Sequence, residues 1–225
     1  MISIIIPTLF KVDRIYQTLL ELSECEQVGE IILIDNTTNP KDFNIPKLRY
    51  IYEGSNTYVN PAWNKGAQIA AFDKLCFLSD DVWINWKHLN YISDYITEDM
   101  GMIGMGDNFN IEEESIDIST LVPDPIIRNR SLSYACCFFM HKKSYVEIPN
   151  DLKIWCGDDW LFYKSKINSI INGIKCNGYV SFTADNIEYK PIFDPIKYND
   201  MQVMKKLISE GRIDNYLVNT YWAQN

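Results

Sequence analysis

The sequence predicts an α/β fold, with a central, mostly parallel sheet flanked by helices. Three observations carry this expectation. Residues 2–6 (Ile-Ser-Ile-Ile-Ile) and 30–34 (Glu-Ile-Ile-Leu-Ile) read as strands on either side of a stretch with helical apolar spacing. That is a βαβ unit, whose two strands must be parallel. Residues 75–78 (Leu-Cys-Phe-Leu) form a short continuous apolar run, as expected of a strand buried on both faces. Two of these runs stop abruptly at acids, Asp35 in one case and Ser79-Asp80-Asp81 in the other. Those are carboxyl ends of strands, where open α/β sheets bind ligands.

Taken in order, the first strand ends at Pro7-Thr8. A helix begins near Asp13, with Ile15, Leu19, Leu20 and Leu22 at helical spacing. The second strand ends in Asp35-Asn36. Asp35 either accepts hydrogen bonds from a nucleoside ring or ribose, or satisfies the local turn with Asn36 and Thr37. Residues 48–52 alternate and form a third strand. Asn60-Pro61 opens a helix running to Phe72, with Asn60 as N-cap and Pro61 in the first turn. Gly66, Ala67, Ala70 and Ala71 let that helix pack closely on the sheet. Asn64 and Lys65, near its start, either touch a nucleotide or are ordinary surface residues.

Adjacent carboxylates at the end of a buried strand need a positive partner. Asp80 and Asp81 therefore either meet a divalent cation and a diphosphate held through it, or cap the next helix. That helix is expected over residues 85–96, with Trp86, Leu89, Ile92 and Ile96 on one face. Residues 101–105 form a strand with two glycines, and 106–130 a long loop suited to a lid or partner surface. A strand is expected over 133–140 and a helix over 159–171, placing Asp158 or Asp159 at a helix's positive end. A strand over 177–182, an amphipathic helix over 196–210 and an aromatic tail complete the chain.

The 225 residues suit one domain with a sizeable core, and 47% hydrophobic with 23% charged residues suits a globular chain. A formal net charge of -9 argues against sequence-independent nucleic-acid binding, which needs a basic face. Six cysteines occur without a Cys-x-x-Cys pair, and His88 and His141 lie far apart, so zinc is not expected. The cysteines read as free thiols of a reducing compartment. Residues 1–8 lack a basic leading region, and no run reaches membrane-span length, so a cytoplasmic protein is expected.

The motifs also occur in a familiar order. The chain resembles the family 2 glycosyltransferases of the GT-A fold over roughly residues 1–185. Ile4-Ile5-Ile6-Pro7-Thr8 is similar to the family's first strand, whose Pro-Thr meets the nucleotide. Ile31-Ile32-Leu33-Ile34-Asp35-Asn36 is similar to the second, whose terminal Asp binds the base. Asn60-Pro61-Ala62-Trp63-Asn64-Lys65-Gly66 resembles the Asn-x-Gly helix start. Leu78-Ser79-Asp80-Asp81 stands where the metal-binding Asp-x-Asp belongs, and Gly157-Asp158-Asp159 resembles the Gly-Glu-Asp motif that ends in the catalytic base.

The resemblance implies a single GT-A domain with a nucleotide-binding half over about 1–105, an acceptor half over about 106–195 and a helical tail over about 196–225. It implies transfer with inversion from a nucleotide-sugar, foremost a UDP-sugar, to a hydroxyl of a glycan or glycoconjugate. Asp159 would be catalytic with Asp158 beside it. Pro7, Thr8, Asp35, Asn64, Lys65, Ser79 and Asp80 would bind the nucleotide-sugar. Ser79 replaces the first acid of the metal motif, so Asp81 would be the ligand for Mn2+ or Mg2+. The usual histidine after the last core strand is missing from residues 183–191, where Asp185 or Glu188, or water, could substitute. Trp155 and Trp160 either stack on sugars or belong to the core. Two other functions fit the same core. One is a nucleic-acid-directed glycosyltransferase using Arg128, Arg130, Lys142, Lys143, Lys205 and Lys206. The other is a non-catalytic sugar-nucleotide or glycan-binding module.

Overall fold

A computed structural model describes residues 1–105, 134–165, 167–171 and 187–213, together with the backbone of 124–126 and 176–178. The chain opens with β1 (Ile2–Thr8), α1 (Ile15–Glu24), β2 (Val28–Asp35) and β3 (Leu48–Tyr52). Then come α2 (Val59–Ile69), β4 (Lys74–Leu78), β5 (Val82–Ile84) and the single turn α3 (Leu89–Ile92). The second half holds β6 (Ile103–Met105), β7 (Asp124–Ile126), β8 (Cys137–His141) and α4 (Gly157–Lys164). It ends with β9 (Asn168–Ile171), β10 (Cys176–Gly178) and α5 (Lys190–Ser209).

Among the described residues the large sheet has the order β3-β2-β1-β4-β8-β6-β9-β7. Its first four strands are mutually parallel, β8 runs against both β4 and β6, β9 is parallel to β6, and β7 closes the edge antiparallel. Alternate residues of β1 feed two cores. Ile2, Ile4 and Ile6 join α1's Ile15, Leu19 and Leu22 on one face, while Ile5 joins α2's Ala62, Trp63 and Ala67 on the other. With helices on both faces β1, β4 and the second half of β2 are buried, which is why they read as apolar runs, while the edge strand β3 is only partly covered and alternates. Burying one such isoleucine stabilises by about 1.5–3 kcal/mol. Gly66 lies directly against Ile5, so α2 approaches β1 more closely than any side chain would allow.

Several expected elements differ. The helix expected over 159–171 stops at Lys164, and 168–171 is strand β9. The Asn168 side chain causes the break, donating to the Phe162 carbonyl at 2.8 Å and accepting from the Met102 N–H at 2.9 Å. The β-branched run then pairs with β6. The helix expected over 85–96 is instead α3 between two 3-10 turns, although Trp86, Leu89, Ile92 and Ile96 are buried as the spacing implied. There the Lys74 ammonium binds the Ser93 carbonyl at 2.6 Å. Strand β5, just before that stretch and not expected from the sequence, pairs with β10 in a separate two-stranded sheet.

Asn60 is not the N-cap of α2, which begins at Val59 after Tyr58 with φ 70°. The helix ends at Ile69 rather than Phe72. The strand expected from 133 begins at Cys137, after a turn at 134–136. Part of the long loop over 106–130 is strand β7, and the remainder lies outside the described residues. The strand over 177–182 is described only as β10, and α5 begins six residues before the expected 196. Most of the aromatic tail and Asp185 lie outside the described residues. Among those residues, no helix is long and apolar enough to cross a membrane.

Candidate functional site

Strands β1, β2, β3 and β4 are parallel, so Thr8, Asp35, Tyr52 and Leu78 all end at one edge of the sheet. Ser79, Asp80 and Asp81 follow Leu78 directly. The Thr8 hydroxyl donates to Asp80 Oδ2 at 2.6 Å and accepts from the Phe10 N–H at 2.8 Å. Burial pushes the Asp80 carboxyl above its usual range, and the bonds from Thr8 and the Leu9 N–H pull the other way. A carboxylate held up in this way gains from a nearby positive charge. Pro7 is buried within β1, opposite Ile34, and the Ser79 N–H is taken by the Cys136 carbonyl at 2.9 Å. Asp81 is partly buried.

Asp35 is 0% exposed. Its Oδ1 accepts from the Thr37 N–H at 2.8 Å and its Oδ2 from the Tyr50 hydroxyl at 2.5 Å. Burial and the adjacent carboxylate raise the Tyr50 phenol to about 12. Rings gather at this corner: Phe43 lies 5.9 Å from Phe10, 5.6 Å from Tyr16 and 5.1 Å from Tyr50 between centroids. The turn with Thr37 matches the local half of the sequence reading of Asp35, while the Tyr50 bond is long-range and was not foreseen.

The second group of acids reaches the same edge through α2. Asn36, just past β2, accepts from the Thr57 N–H at 3.1 Å and from its hydroxyl at 2.7 Å. That fixes the entry to α2 at the carboxyl edge, three residues before Asn60. Asn60 packs directly on Gly157, the first residue of α4. Asp158 and Asp159 therefore project from a helix start that lies at the edge carrying Thr8 and Asp80. Asp159 is 5% exposed, Asp158 more so. Both sit in the first turn, where the helix dipole favours negative charge.

Two expected donor-binding residues lie further along α2. The Asn64 amide donates to the Ile148 carbonyl at 2.8 Å and accepts from the Ile148 N–H at 2.9 Å and the Tyr145 hydroxyl at 2.7 Å. It ties the 145–148 segment to the helix. Lys65 pairs with Glu53, and both remain partly accessible. The Trp160 indole is buried and donates to the Glu147 carbonyl at 3.1 Å, so it belongs to the core. Trp155 is partly buried, edge-on to Phe193.

Among the described residues, no group of three or more His, Cys, Asp or Glu could cage a metal. The pair Asp80 and Asp81 suits a hard cation that keeps several waters and uses one or two carboxylates plus substrate phosphates. Glu188 lies exposed in the turn before α5. Three described members of the basic group are engaged elsewhere: Lys142 with the Ala70 carbonyl at 2.6 Å, Lys143 with Glu98 at 2.5 Å, and Lys206 with Glu210 at 3.8 Å.

Sequence reasoning named Asn60 only as a cap and helix-start residue, and it missed the role of Tyr50 and the backbone at Phe10, Tyr58 and Cys156. These last three have φ of 52°, 70° and 64°, uncommon for non-glycine residues. All three lie in connections at the carboxyl edge. Their signal is conformational and has no counterpart in residue type.

No family model and no curated protein matches the chain. Its structure is similar to crystal structures of S. aureus TarS. Residues 1–349 of TarS align with a TM-score of 0.59 at 14% identity, over 88% of this chain and 64% of that one. The same TarS segment has been solved with UDP (TM-score 0.59, 14% identity) and with UDP-GlcNAc (0.57, 13%). A longer TarS structure aligns at 0.63 and 15% identity, over 92% of this chain and 39% of its own. The chain thus spans less than two thirds of these neighbours. At such identities the likeness is one of fold, and it matches the α/β architecture, with a central sheet flanked by helices, expected from the sequence.

Proposed function

We propose that the chain is an inverting, nucleotide-sugar-dependent glycosyltransferase of family 2. Its donor is a UDP-sugar and its acceptor a hydroxyl of a glycan or glycoconjugate. What supports this is the placement of two acid groups toward the carboxyl end of one sheet, Thr8-bonded Asp80 with Asp81 after β4 and Asp158-Asp159 at the start of α4. The UDP and UDP-GlcNAc complexes of the similarly folded TarS support the choice of donor.

In this reading Asp35, Thr8, Ser79 and Asp80 hold the nucleotide, with Pro7 shaping the strand end. Asn64 fixes the adjoining wall and Lys65 stands beside it. Asp81, helped by Asp80, would hold a divalent cation, Mn2+ or Mg2+, whose charge offsets that of the departing diphosphate. Asp159 accepts the acceptor's proton as its oxygen attacks the anomeric carbon, and the bond from that carbon to the diphosphate oxygen breaks. Asp158 lies beside it at the mouth of the helix. A carboxylate buried as Asp159 is competes with little water for that proton.

The test is a thermal-shift screen of UDP, GDP and dTDP sugars with and without Mn2+, followed by transfer and donor-hydrolysis assays on the stabilising donor. UDP-sugars should stabilise the protein most. Asp159→Asn should keep donor binding and lose transfer by about 10²–10⁴-fold. Near wild-type transfer by that variant removes Asp159 from the chemistry. Donor binding with no turnover marks a binding module, and no stabilisation by any nucleotide sugar sinks the reading.

A further inference from the structure

We propose that Asp200 is a positioning residue for the acids at the start of α4; its catalytic consequence rests on the transferase reading above. The buried face of α5 is formed by Phe193, Asp200, Met204 and Leu207, and Asp200 on that face is 0% exposed. A buried carboxylate is unfavourable unless hydrogen-bonded. This one accepts three successive backbone N–H groups, from Lys153 at 3.0 Å, Ile154 at 2.8 Å and Trp155 at 2.9 Å.

The same segment is also held by Asn60. Its backbone N–H donates to the Lys153 carbonyl at 3.0 Å, and its Nδ2 donates to the Trp155 carbonyl at 3.3 Å. Three N–H and two C=O groups make five of the six backbone polar groups in 153–155, all fixed by two side chains' residues. Next in the chain is Cys156, held at φ 64° and ψ 0°, and after it Gly157-Asp158-Asp159. A non-glycine residue stays in this left-handed conformation only where its surroundings impose it.

Asp200 and Asn60 belong to those surroundings. They set the direction in which α4 leaves the segment, and therefore where the two carboxylates point. Asp200 touches neither nucleotide-binding strand end; it acts through the backbone. If Asp200 served only to anchor α5, its loss would lower stability without separating catalysis from donor binding.

The experiment compares full-length wild type, Asp200→Asn and Asp200→Ala by site-resolved amide exchange and by steady-state kinetics with the UDP-sugar found above. Asp200→Asn keeps the shape and one acceptor oxygen, so it carries the test where Asp200→Ala fails to fold. Exchange over 153–160 should quicken by about tenfold or more, with β1 and β2 unchanged. The rate constant kcat should fall on the order of 100-fold, as expected for a displacement near 1 Å, while donor KM stays within about twofold. Asn should fall between wild type and Ala. Unchanged exchange over 153–160, a uniform rise along the whole chain, or unaltered kcat per folded molecule would each overturn the proposal. If the wild type turns over no donor, the transferase reading fails, and the exchange pattern alone decides whether Asp200 positions α4.

Discussion

Adding one methyl group at Gly157 probes the contact on which the two-sided site depends. A Cβ there would fall within the Asn60 amide, whose Oδ1, Cγ and Nδ2 are its three nearest neighbours. Asn60 is 1% exposed, so its side chain cannot swing aside into solvent. Overpacking a filled interior costs about 1–3 kcal/mol, and losing the Asn60–Trp155 bond about 1 kcal/mol more. Alanine's lower backbone entropy in the unfolded chain returns roughly 0.5–1 kcal/mol. The net for Gly157→Ala is about 2 kcal/mol of destabilisation, a melting shift of roughly 4–8 °C for a chain of this size. Calorimetry on Gly157→Ala, Asn60→Ala and the double variant isolates the contact. With the amide gone the new methyl has room, so the double variant should be more stable than the sum of the singles by about 1–2 kcal/mol. A Gly157→Ala melting point equal to wild type, or singles that add within about 0.5 kcal/mol, would show that α4 does not start against α2.

Tyr50→Phe removes the hydroxyl that donates to the buried Asp35 Oδ2. Leaving that oxygen unmet should cost about 1–3 kcal/mol in urea unfolding and weaken UDP binding in calorimetric titration; unchanged values for both would show that Tyr50 does not hold Asp35. The raised Asp80 carboxyl sets a pH dependence whose sign follows from proton linkage. Above the free-carboxylate value of 3.8 the folded state binds more protons than the unfolded, so this group's contribution to stability falls as pH rises through its raised pKa. Asp80→Asn lacks that titration and still accepts from Thr8. Its denaturation midpoint should gain on wild type between pH 4 and pH 7, whereas a pH-independent gap would mean that burial does not perturb Asp80.

The parts that could be read from residue order were those dominated by local burial. Residues 2–6 (Ser3 apart), 31–34 and 75–78 are apolar because both faces of their strands are covered, and no long-range information is needed to see it. The acids at Asp35, Asp80 and Asp81 were visible because they interrupt such runs. The end of α4 is not legible in the sequence because the helix is buried on nearly every side and its residue pattern marks no boundary; the boundary is imposed by Asn168 reaching back to Phe162 and across to Met102. Asparagine is among the usual N-cap residue types, and residue type alone therefore points to a cap at Asn60. Its amide and backbone N–H instead serve the 153–155 segment, nearly a hundred residues away in sequence. Asp200 had a signal, an acid on an apolar stripe, but its partners are backbone groups that no residue type reveals.

Fold and chemistry place different demands on this chain. A TM-score near 0.6 at about 14% identity to TarS is possible because a buried strand needs only apolar residues of suitable volume, and many combinations satisfy that. The edge of the sheet is less forgiving. Thr8 must reach Asp80 across 72 positions, Asn60 must reach Trp155 across 95, and Gly157 must have no side chain where Asn60 sits. Each of these is a polar or steric match between segments distant in sequence. Loss of one side of such a match leaves a buried group unmet while the hydrophobic core remains intact. Variants at Thr8, Asn60 and Gly157 should therefore impair the site before they unfold the domain, the opposite of what substitutions at Ile5 or Phe77 would do. Loss of donor binding with a smaller fall in melting temperature in the first group, and a larger fall in the second, would bear this out; the same melting loss in both groups would refute it.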